Sequence, residues 1–198
     1  MNDHPIAQQL IGMKNADLQL RDQLLQSGQL FEDYHPDMEA LHSRNASALD
    51  RMIGSIGYPT AAKVGQEAAA AAWLIIQHAI SRPAFMRKCR DLLDKAVRDQ
   101  SADPVHLAYL TDRIAIFEGR PQRYGTQFDW DAQGDMSPLP CDDESRVNER
   151  RKRIGLNTLE EQTAIIRQRV AEEDQQPPDE PARRKQEEEA WKKRVGWI

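Results

Sequence analysis

Proline and glycine divide the first part of the chain into segments of helical length, and this punctuation constrains the fold more than any other feature. Pro5 opens a segment that ends at Gly28, and Pro36 opens another that ends at Gly57. Proline is favoured in the first turn of a helix and glycine just beyond its last turn. Apolar residues recur inside the segments at helical spacing. The pattern predicts helices over residues 5–28, 36–57, 65–80, 81–97 and 103–119.

From residue 122 to 141 the helical pattern stops. The stretch from Tyr124 to Trp130 is rich in strand-forming residues, and a turn signal around Gly134 follows it. We expect a short β-hairpin or an ordered loop here. Thr158 and Glu161 then match a capping box that opens a last core helix. The predicted fold class is mostly α, a helical bundle of about six helices with a small β-hairpin or ordered loop insert.

The chain is polar for a globular protein, with 39% hydrophobic and 30% charged residues. Much of the charge lies from Asp143 onward, where acidic and basic residues occur in equal number. We interpret the basic run at residues 150–153 as a solvated loop. Such mixed charge with few apolar residues does not build a core.

These composition changes predict two parts. A helical domain is expected over residues 1–170, with its insert near 122–141, followed by a charged tail over 171–198. The tail is predicted to be partly disordered or to form a solvated helix from about residue 182 to 195. Trp191 and Trp197 would be its docking points.

Composition also excludes several classes of protein. No stretch approaches the roughly 20 apolar residues of a membrane span, and the N-terminus lacks the pattern of a signal peptide. We expect a cytoplasmic protein in which Cys89 and Cys141 are reduced thiols. The net charge of -5 argues against binding to nucleic acid. The common nucleotide, hydrolase and zinc signatures are absent.

The second predicted helix carries a candidate metal site. His35, Glu39 and His42 are spaced to share one helical face, and Glu39 with His42 forms the Glu-x-x-His arrangement of carboxylate-bridged metal bundles. A divalent metal ion is the one cofactor that this trio suggests. The alternative is structural, because His35 precedes Pro36 and would cap the helix, and Glu39 would favour the positive end of its dipole.

The third and fifth predicted helices carry further candidates. Gln77 or His78 should be partly buried, because both follow the most apolar run of the chain. A buried imidazole suits proton transfer, although a hydrogen-bonded core histidine explains the pattern equally well. On the fifth helix, Arg113 could grip a carboxylate or phosphate and Asp112 could orient a histidine. A structural salt bridge is the alternative for this pair.

The polar segment after the fifth helix is a candidate binding loop. Its candidate ligand-binding side chains are a phenol, a hydroxyl and two amides, from Gln122, Tyr124, Thr126 and Gln127. Loops on rigid scaffolds commonly carry binding residues. Two structural alternatives remain open: a strand that covers the bundle, or a turn in which Gly125 supplies an unusual backbone angle.

Several of these motifs form an ordered series over about residues 30 to 160. The series is His35-Pro36-Asp37-Met38-Glu39 with His42 and Asn45, Gly57-Tyr58-Pro59, Trp73 to His78, Tyr109 to Arg113, Gln122 to Gln127, and Val147 to Arg151 with Gly155-Leu156. It resembles a bacterial family of uncharacterised proteins, a domain of unknown function with Gln-His, Asp-Arg and Tyr-Gly-Thr-Gln signatures. The resemblance implies a bacterial source and one shared constellation: His35, Glu39, His42, His78, Asp112, Arg113, Tyr124 and Gln127. It supplies no reaction.

Together the candidates predict a polar pocket between the second, third and fifth helices, with residues 124–127 as a lid. His42 or His78 would be the general acid/base and Asp112 its orienting partner. Arg113 with Gln127 would clamp a small polar or anionic molecule. Hydrolysis or another proton transfer would fit, and the sequence leaves open whether the protein is an enzyme. The alternative is a non-enzymatic interaction module, in which the helical surface and the charged tail bind a protein partner or self-associate.

Overall fold

The computed structural model describes residues 5–28 and 34–198. The chain divides into an N-terminal unit that ends at Asp103 and a C-terminal unit from Pro104 to Ile198. The described residues are mostly helical and include one small antiparallel sheet, which confirms the predicted fold class. They form nine helices, more than the six or so expected. None of the helices in these ranges has the length and apolarity that a membrane crossing requires.

Proline opens three of the five helices of the N-terminal unit, as the punctuation predicts. His35 caps the second helix, where its Nδ1 accepts a hydrogen bond from the backbone N–H of Asp37 at 3.2 Å. His35 therefore caps the helix, as the structural alternative to metal binding predicts. The helices are α1 (Pro5–Gln26), α2 (Pro36–Ile56), α3 (Ala61–Val64), α4 (Gln66–His78) and α5 (Pro83–Arg98).

Helix α4 is the central helix of the N-terminal unit. It packs against α1, α2 and α5. Its alanines Ala68, Ala71 and Ala72 are buried together with Ile75 and Ile76. Small side chains let a neighbouring helix approach closely, and burial of the apolar face stabilises the unit. This explains why the Ala-rich run lies in the core.

Two boundaries in the N-terminal unit differ from the prediction. The helix expected over residues 65–80 is preceded by the extra turn of α3, and Gly65, at φ 87°, separates α3 from α4. Helix α4 also ends earlier than expected, at His78. This places His78 at the end of the most buried helix, where one side of its ring reaches solvent.

The C-terminal unit joins helices to the predicted hairpin. Strands β1 (Phe128–Trp130) and β2 (Met136–Pro138) pair antiparallel, with Asp129 opposite Ser137. The hairpin packs on α8 through β2. The capping box of α8 is present in both directions between Thr158 and Glu161. The helices are α6 (Pro104–Phe117), α7 (Glu144–Arg153), α8 (Leu159–Glu172) and α9 (Pro181–Val195).

The basic run at residues 150–153 is helical, so its interpretation as a solvated loop is wrong. It forms the last turn of α7. Basic side chains are favourable at a helix C-terminus, because the helix dipole is negative there. Only Val147 and Arg151 of this helix are buried. With two buried residues, of which one is an arginine, the apolar pattern is too sparse to predict this helix.

The charged tail forms a helix and docks within its own unit. Helix α9 matches the predicted solvated helix, and Trp197 beyond it is 4% exposed. The ring of Trp197 stacks on Phe117 with centroids 5.0 Å apart, and Trp191 contacts the same ring at 5.7 Å. The expectation that both tryptophans are docking points is confirmed. The division into a helical domain over residues 1–170 and a tail over residues 171–198 stays a prediction.

We expect Gly125→Ala to destabilise the protein more than Gly119→Ala. Both glycines have positive φ, 64° and 69°, where a Cβ costs roughly 1 kcal/mol. A Cβ at Gly125 would also lie 2.5 Å from Cδ1 of Leu159, whereas none of the described atoms lies within 4 Å at Gly119. We expect losses of about 2–3 kcal/mol and about 1 kcal/mol in urea unfolding. Equal losses would show that the contact with Leu159 relaxes freely.

Candidate functional site

The most unusual feature of the N-terminal unit is a carboxylate in its core. Asp17 lies on α1 and its side chain is 1% exposed. It occupies the buried face of the helix midway between Leu10 and Leu24, at seven-residue spacing. An aspartate on an apolar face must find donors for its oxygens, because an unpaired buried charge costs several kcal/mol.

Two histidines from different helices supply the contacts to Asp17. Nδ1 of His78, at the end of α4, lies 2.8 Å from Asp17 Oδ2 and is hydrogen-bonded to it. Nε2 of His42, on α2, lies 3.1 Å from the same oxygen. The two imidazole rings are 5.0 Å apart between centroids. The packing of α1, α2 and α4 thus brings one carboxylate and two imidazoles together.

Tyr34 extends this group beyond the two histidines. Its Oη lies 2.6 Å from Nδ1 of His42, and the two rings stack with centroids 5.7 Å apart. We call Asp17, Tyr34, His42 and His78 the Asp17 cluster. His78 is the more accessible of the two histidines, since its side chain is 27% exposed and that of His42 only 6%, and Tyr34 is also partly exposed. A molecule from solvent would therefore reach the ring of His78 more readily than that of His42.

The surroundings shift two pKa values in opposite directions. Burial raises the pKa of Asp17, but the contacts with His42 and His78 outweigh it, and the pKa lies well below its usual value. The Asp17 carboxylate is therefore ionised at neutral pH. Burial raises the pKa of the Tyr34 phenol above its ordinary value, and the charge of Glu39 adds to this effect. The cluster thus holds a permanent negative charge beside two titratable rings.

Two atoms of the cluster are buried without a hydrogen bond. Asp17 Oδ1 and His42 Nε2 have no hydrogen-bond partner among the described residues. The 3.1 Å contact from His42 Nε2 to Asp17 is close but not aligned for a hydrogen bond. Native proteins rarely leave such atoms unsatisfied, so each of them needs an explanation.

The metal-binding trio expected on α2 is not the group that the structure assembles. Within the described ranges, the group of three or more ligand-type side chains close enough to share an ion is Asp17, His42 and His78. Of the predicted trio only His42 belongs to it. His35 caps α2 and faces Asp37 at 4.0 Å, and Glu39 lies half-buried on the same helix.

Asp112 is the buried carboxylate of the C-terminal unit, and it holds a loop. It accepts hydrogen bonds from the backbone N–H groups of Arg123, Tyr124 and Thr126 and from the Thr126 hydroxyl, at 2.8–3.2 Å. The sequence assigned Asp112 to orient a histidine. In the structure the carboxylate that contacts the histidines is Asp17, which is not among the candidates that the sequence predicts.

The other predicted binding residues of this loop also bond to one another. The Gln122 amide, which is fully buried, donates to the carbonyls of Gln127 and Leu139 and accepts from the Gln127 N–H. Arg113, expected to clamp an anion with Gln127, donates from Nε to Gln127 Oε1 at 3.2 Å. The polar groups of Gln122, Arg113 and Gln127 therefore have structural hydrogen-bond partners in and around the loop.

Arg151 completes the support of the loop from α7. It is 1% exposed and donates to the carbonyls of Tyr124 and Gly125 at 2.6 and 3.2 Å. It also donates to the carbonyl and side chain of Asn157. Asp112 thus accepts hydrogen bonds from the N–H groups of the loop, and Arg151 donates hydrogen bonds to its carbonyls. The sequence predicts Arg151 to lie in a solvated run, because a buried arginine leaves no apolar signal.

The predicted catalytic and binding residues belong to two groups. His42 and His78 are in the Asp17 cluster of the N-terminal unit, and Gln77 is buried on α4 of the same unit. Asp112, Arg113 and residues 122–127 belong to the loop of the C-terminal unit. The joint pocket between predicted helices stays a prediction. Asp17 could have been found from its position on the buried face between two leucines.

The fold and the site define a mostly helical protein with a buried aspartate held between two histidines. The chain belongs to DUF6624, a family of unknown function, whose model matches residues 4–172. The match includes every helix from α1 to α8 and all members of the Asp17 cluster, while α9 lies beyond it. No curated protein and no solved structure matches the chain.

We expect Asp112→Asn to destabilise the C-terminal unit by about 2–4 kcal/mol in urea unfolding. An asparagine side chain turns an NH₂ group towards backbone donors that now point at carboxylate oxygens, and buried donors left unpaired are costly. Asp91→Asn is the matched control, because Asp91 is exposed on α5 and should change the free energy of unfolding by less than about 0.5 kcal/mol. Equal effects of the two variants would contradict the structural role of Asp112.

Both cysteines should react slowly with iodoacetamide in the folded protein. Burial raises the pKa of Cys89 to about 12 and that of Cys141 to about 11, from 9.0. At about pH 8 the thiolate fraction therefore falls by roughly 1000-fold and 100-fold. Mass spectrometry of alkylated protein, folded and in urea, measures the difference. Fast modification of folded protein would show that a thiol is activated.

Proposed function

We propose that the Asp17 cluster is the functional site, and that it binds a small polar or anionic molecule and exchanges a proton with it. One observation carries the proposal. Oδ2 of the buried Asp17 accepts a 2.8 Å hydrogen bond from Nδ1 of the partly exposed His78. The proposal therefore concerns the N-terminal unit alone.

The energetics of Asp17 favour a role beyond packing. An ionised carboxylate in a helical core loses its hydration, and it stays ionised here only because the contacts with two imidazoles outweigh that cost. Apolar side chains of similar volume usually make a core equally stable or more stable. An aspartate and two histidines in that position are better explained by chemistry that needs an ionised group next to a titratable one.

The pairing of Asp17 with His78 suits general acid/base work. The carboxylate fixes the proton on Nδ1, so the lone pair of the same ring lies on Nε2. The carboxylate also stabilises the ring once Nε2 has taken a proton. Asp17 is then a positioning residue, and His78 is the group that meets the ligand.

His42 and Tyr34 support this arrangement from the other side. His42 lies against the same carboxylate oxygen, and its far nitrogen contacts the Tyr34 hydroxyl. The His42 ring restricts how the Asp17 side chain can turn, and Tyr34 holds the His42 ring. A fixed carboxylate holds His78 in one orientation, which general acid/base catalysis requires.

The chemistry of His78 sets the class of ligand. Its protonated ring donates a charge-assisted hydrogen bond to a carboxylate or phosphate oxygen, and its neutral ring accepts a proton from an acidic or water-bearing ligand. Both describe a small polar or anionic molecule. The polar loop of the C-terminal unit is not needed for this step, since its groups are bonded to one another.

We expect the side-chain nitrogens of His78 to respond to inorganic phosphate. In ¹⁵N-histidine-labelled protein, titration with phosphate should shift the His78 resonances in a saturable way. Hydrolysis of p-nitrophenyl acetate should fall by at least about 10-fold in His78→Gln, because the acid/base group is lost. Helical circular dichroism reports folding of the variant.

His106→Gln is the matched control, since His106 lies on α6, outside the cluster. It should keep both the phosphate response of His78 and the rate of hydrolysis. The proposal is overturned when folded wild-type protein gives no saturable shift at His78. A folded His78→Gln variant that hydrolyses the ester as fast as wild type also overturns the proposal.

A further inference from the structure

We infer that Asp17, His42 and His78 form a binding site for one divalent transition-metal ion. The inference deepens and rests on the proposed function, since the ion would act at the same cluster. It starts from the spacing of the donor atoms. One ligand atom from each of the three side chains lies within 4.8 Å of the others.

The shorter contacts match the edges of a coordination shell. His42 Nε2 and His78 Nδ1 lie 3.1 and 2.8 Å from Asp17 Oδ2. Ligands bonded to one ion at about 2.0–2.2 Å are separated by roughly 3–3.5 Å. The third pair of donors, the two histidine nitrogens, lies up to 4.8 Å apart, so a shared ion would draw the two rings closer together by about 1 Å. Three helices hold these donors in place without an ion.

The unsatisfied atoms point to the same conclusion independently. Asp17 Oδ1 and His42 Nε2 are buried and have no hydrogen-bond partner among the described residues. His42 Nε2 is close to Asp17 Oδ2 but does not point along a hydrogen bond to it. Asp17 Oδ1 carries lone pairs, and so does His42 Nε2 when Nδ1 holds the ring proton. An ion bonded to both would satisfy both atoms.

Tyr34 supplies the outer contact that a metal-binding histidine usually has. Its Oη is 2.6 Å from His42 Nδ1. When the Tyr34 oxygen accepts the proton of Nδ1, the lone pair of His42 lies on Nε2, towards Asp17. Burial raises the pKa of the Tyr34 phenol. The hydroxyl therefore stays neutral and can take this role at physiological pH.

The ligand set indicates the class of ion. Two imidazoles and one carboxylate suit zinc, iron, cobalt, nickel or manganese better than calcium or magnesium, which prefer oxygen ligands. Three protein ligands leave coordination positions open, as catalytic sites do. Water or an anion would complete the shell, and the 27% exposure of the His78 side chain opens the cluster to solvent. With the ion bound, a coordinated water would exchange the proton, and His78 would carry its own proton on Nε2.

The test is metal binding by the full chain purified without a histidine tag and stripped with a chelator. Titration with Co²⁺ alone, followed by visible absorption and calorimetry, should give one ion per chain. Asp17→Asn and His78→Gln should each weaken binding by at least about 10-fold, and Tyr34→Phe by about 10-fold. Circular dichroism checks folding, and His78→Gln, at the exposed edge of the cluster, is the variant that best preserves the core.

His35→Gln and His106→Gln are matched controls, since neither residue belongs to the cluster, and both should bind Co²⁺ like wild type. Folded wild-type protein that takes up no stoichiometric Co²⁺, or a folded His78→Gln variant with unchanged affinity, overturns the metal site. The phosphate titration of metal-free protein is independent of this result. A lasting phosphate response without Co²⁺ binding overturns the metal site alone, whereas Co²⁺ binding without that response overturns the proposed function alone.

Discussion

Each unit of the protein depends on one carboxylate that is removed from water. Asp17 in the N-terminal unit and Asp112 in the C-terminal unit are both fully buried. A buried carboxylate must be surrounded by donors or it destabilises the fold. The two units meet this constraint with different donors. Asp112 collects backbone N–H groups from one loop, and Asp17 collects imidazole rings from two helices.

The two sets of donors differ in whether they can gain or lose a proton. Backbone N–H groups do not titrate, so the loop around Asp112 is a fixed scaffold that Arg151 completes from the other side. Burial raises the pKa of Asp112 although its hydrogen bonds oppose the shift. The pKa of Asp17 is lowered, because the imidazoles outweigh burial. The Asp17 cluster therefore places an ionised carboxylate against two imidazole rings.

Much of the fold followed from local signals. The helix starts at Pro36 and Pro104, the capping box at Thr158 and the hairpin turn at Gly134 all lie where the sequence places them. These features depend on the backbone angles of single residues and on side chains a few positions apart, so one short segment of sequence is enough to predict them. Helix α7 was missed because only Val147 and Arg151 of its ten residues are buried, and an arginine gives no apolar periodicity.

The candidate site was predicted only in part. His42 and His78 were selected because polar side chains stand out on apolar helices, and the same rule overlooked Asp17 on the first helix. The sequence also treated the loop residues and the histidines as one constellation. The hydrogen bonds of the histidines lie within the N-terminal unit and those of the loop within the C-terminal unit, so the single constellation stays a prediction. Residue types alone did not show which polar groups would satisfy one another.

The sequence by itself determined where helices begin and end, where the hairpin turns, and which polar residues lie on otherwise apolar faces. Proline, glycine and capping side chains act within a few residues, so this information is local. Only the tertiary structure decided which donor meets which carboxylate. Asp17 and His78 are 61 positions apart, and they meet because α1 packs on α4. That packing depends on the whole apolar face of both helices, and no short motif encodes it.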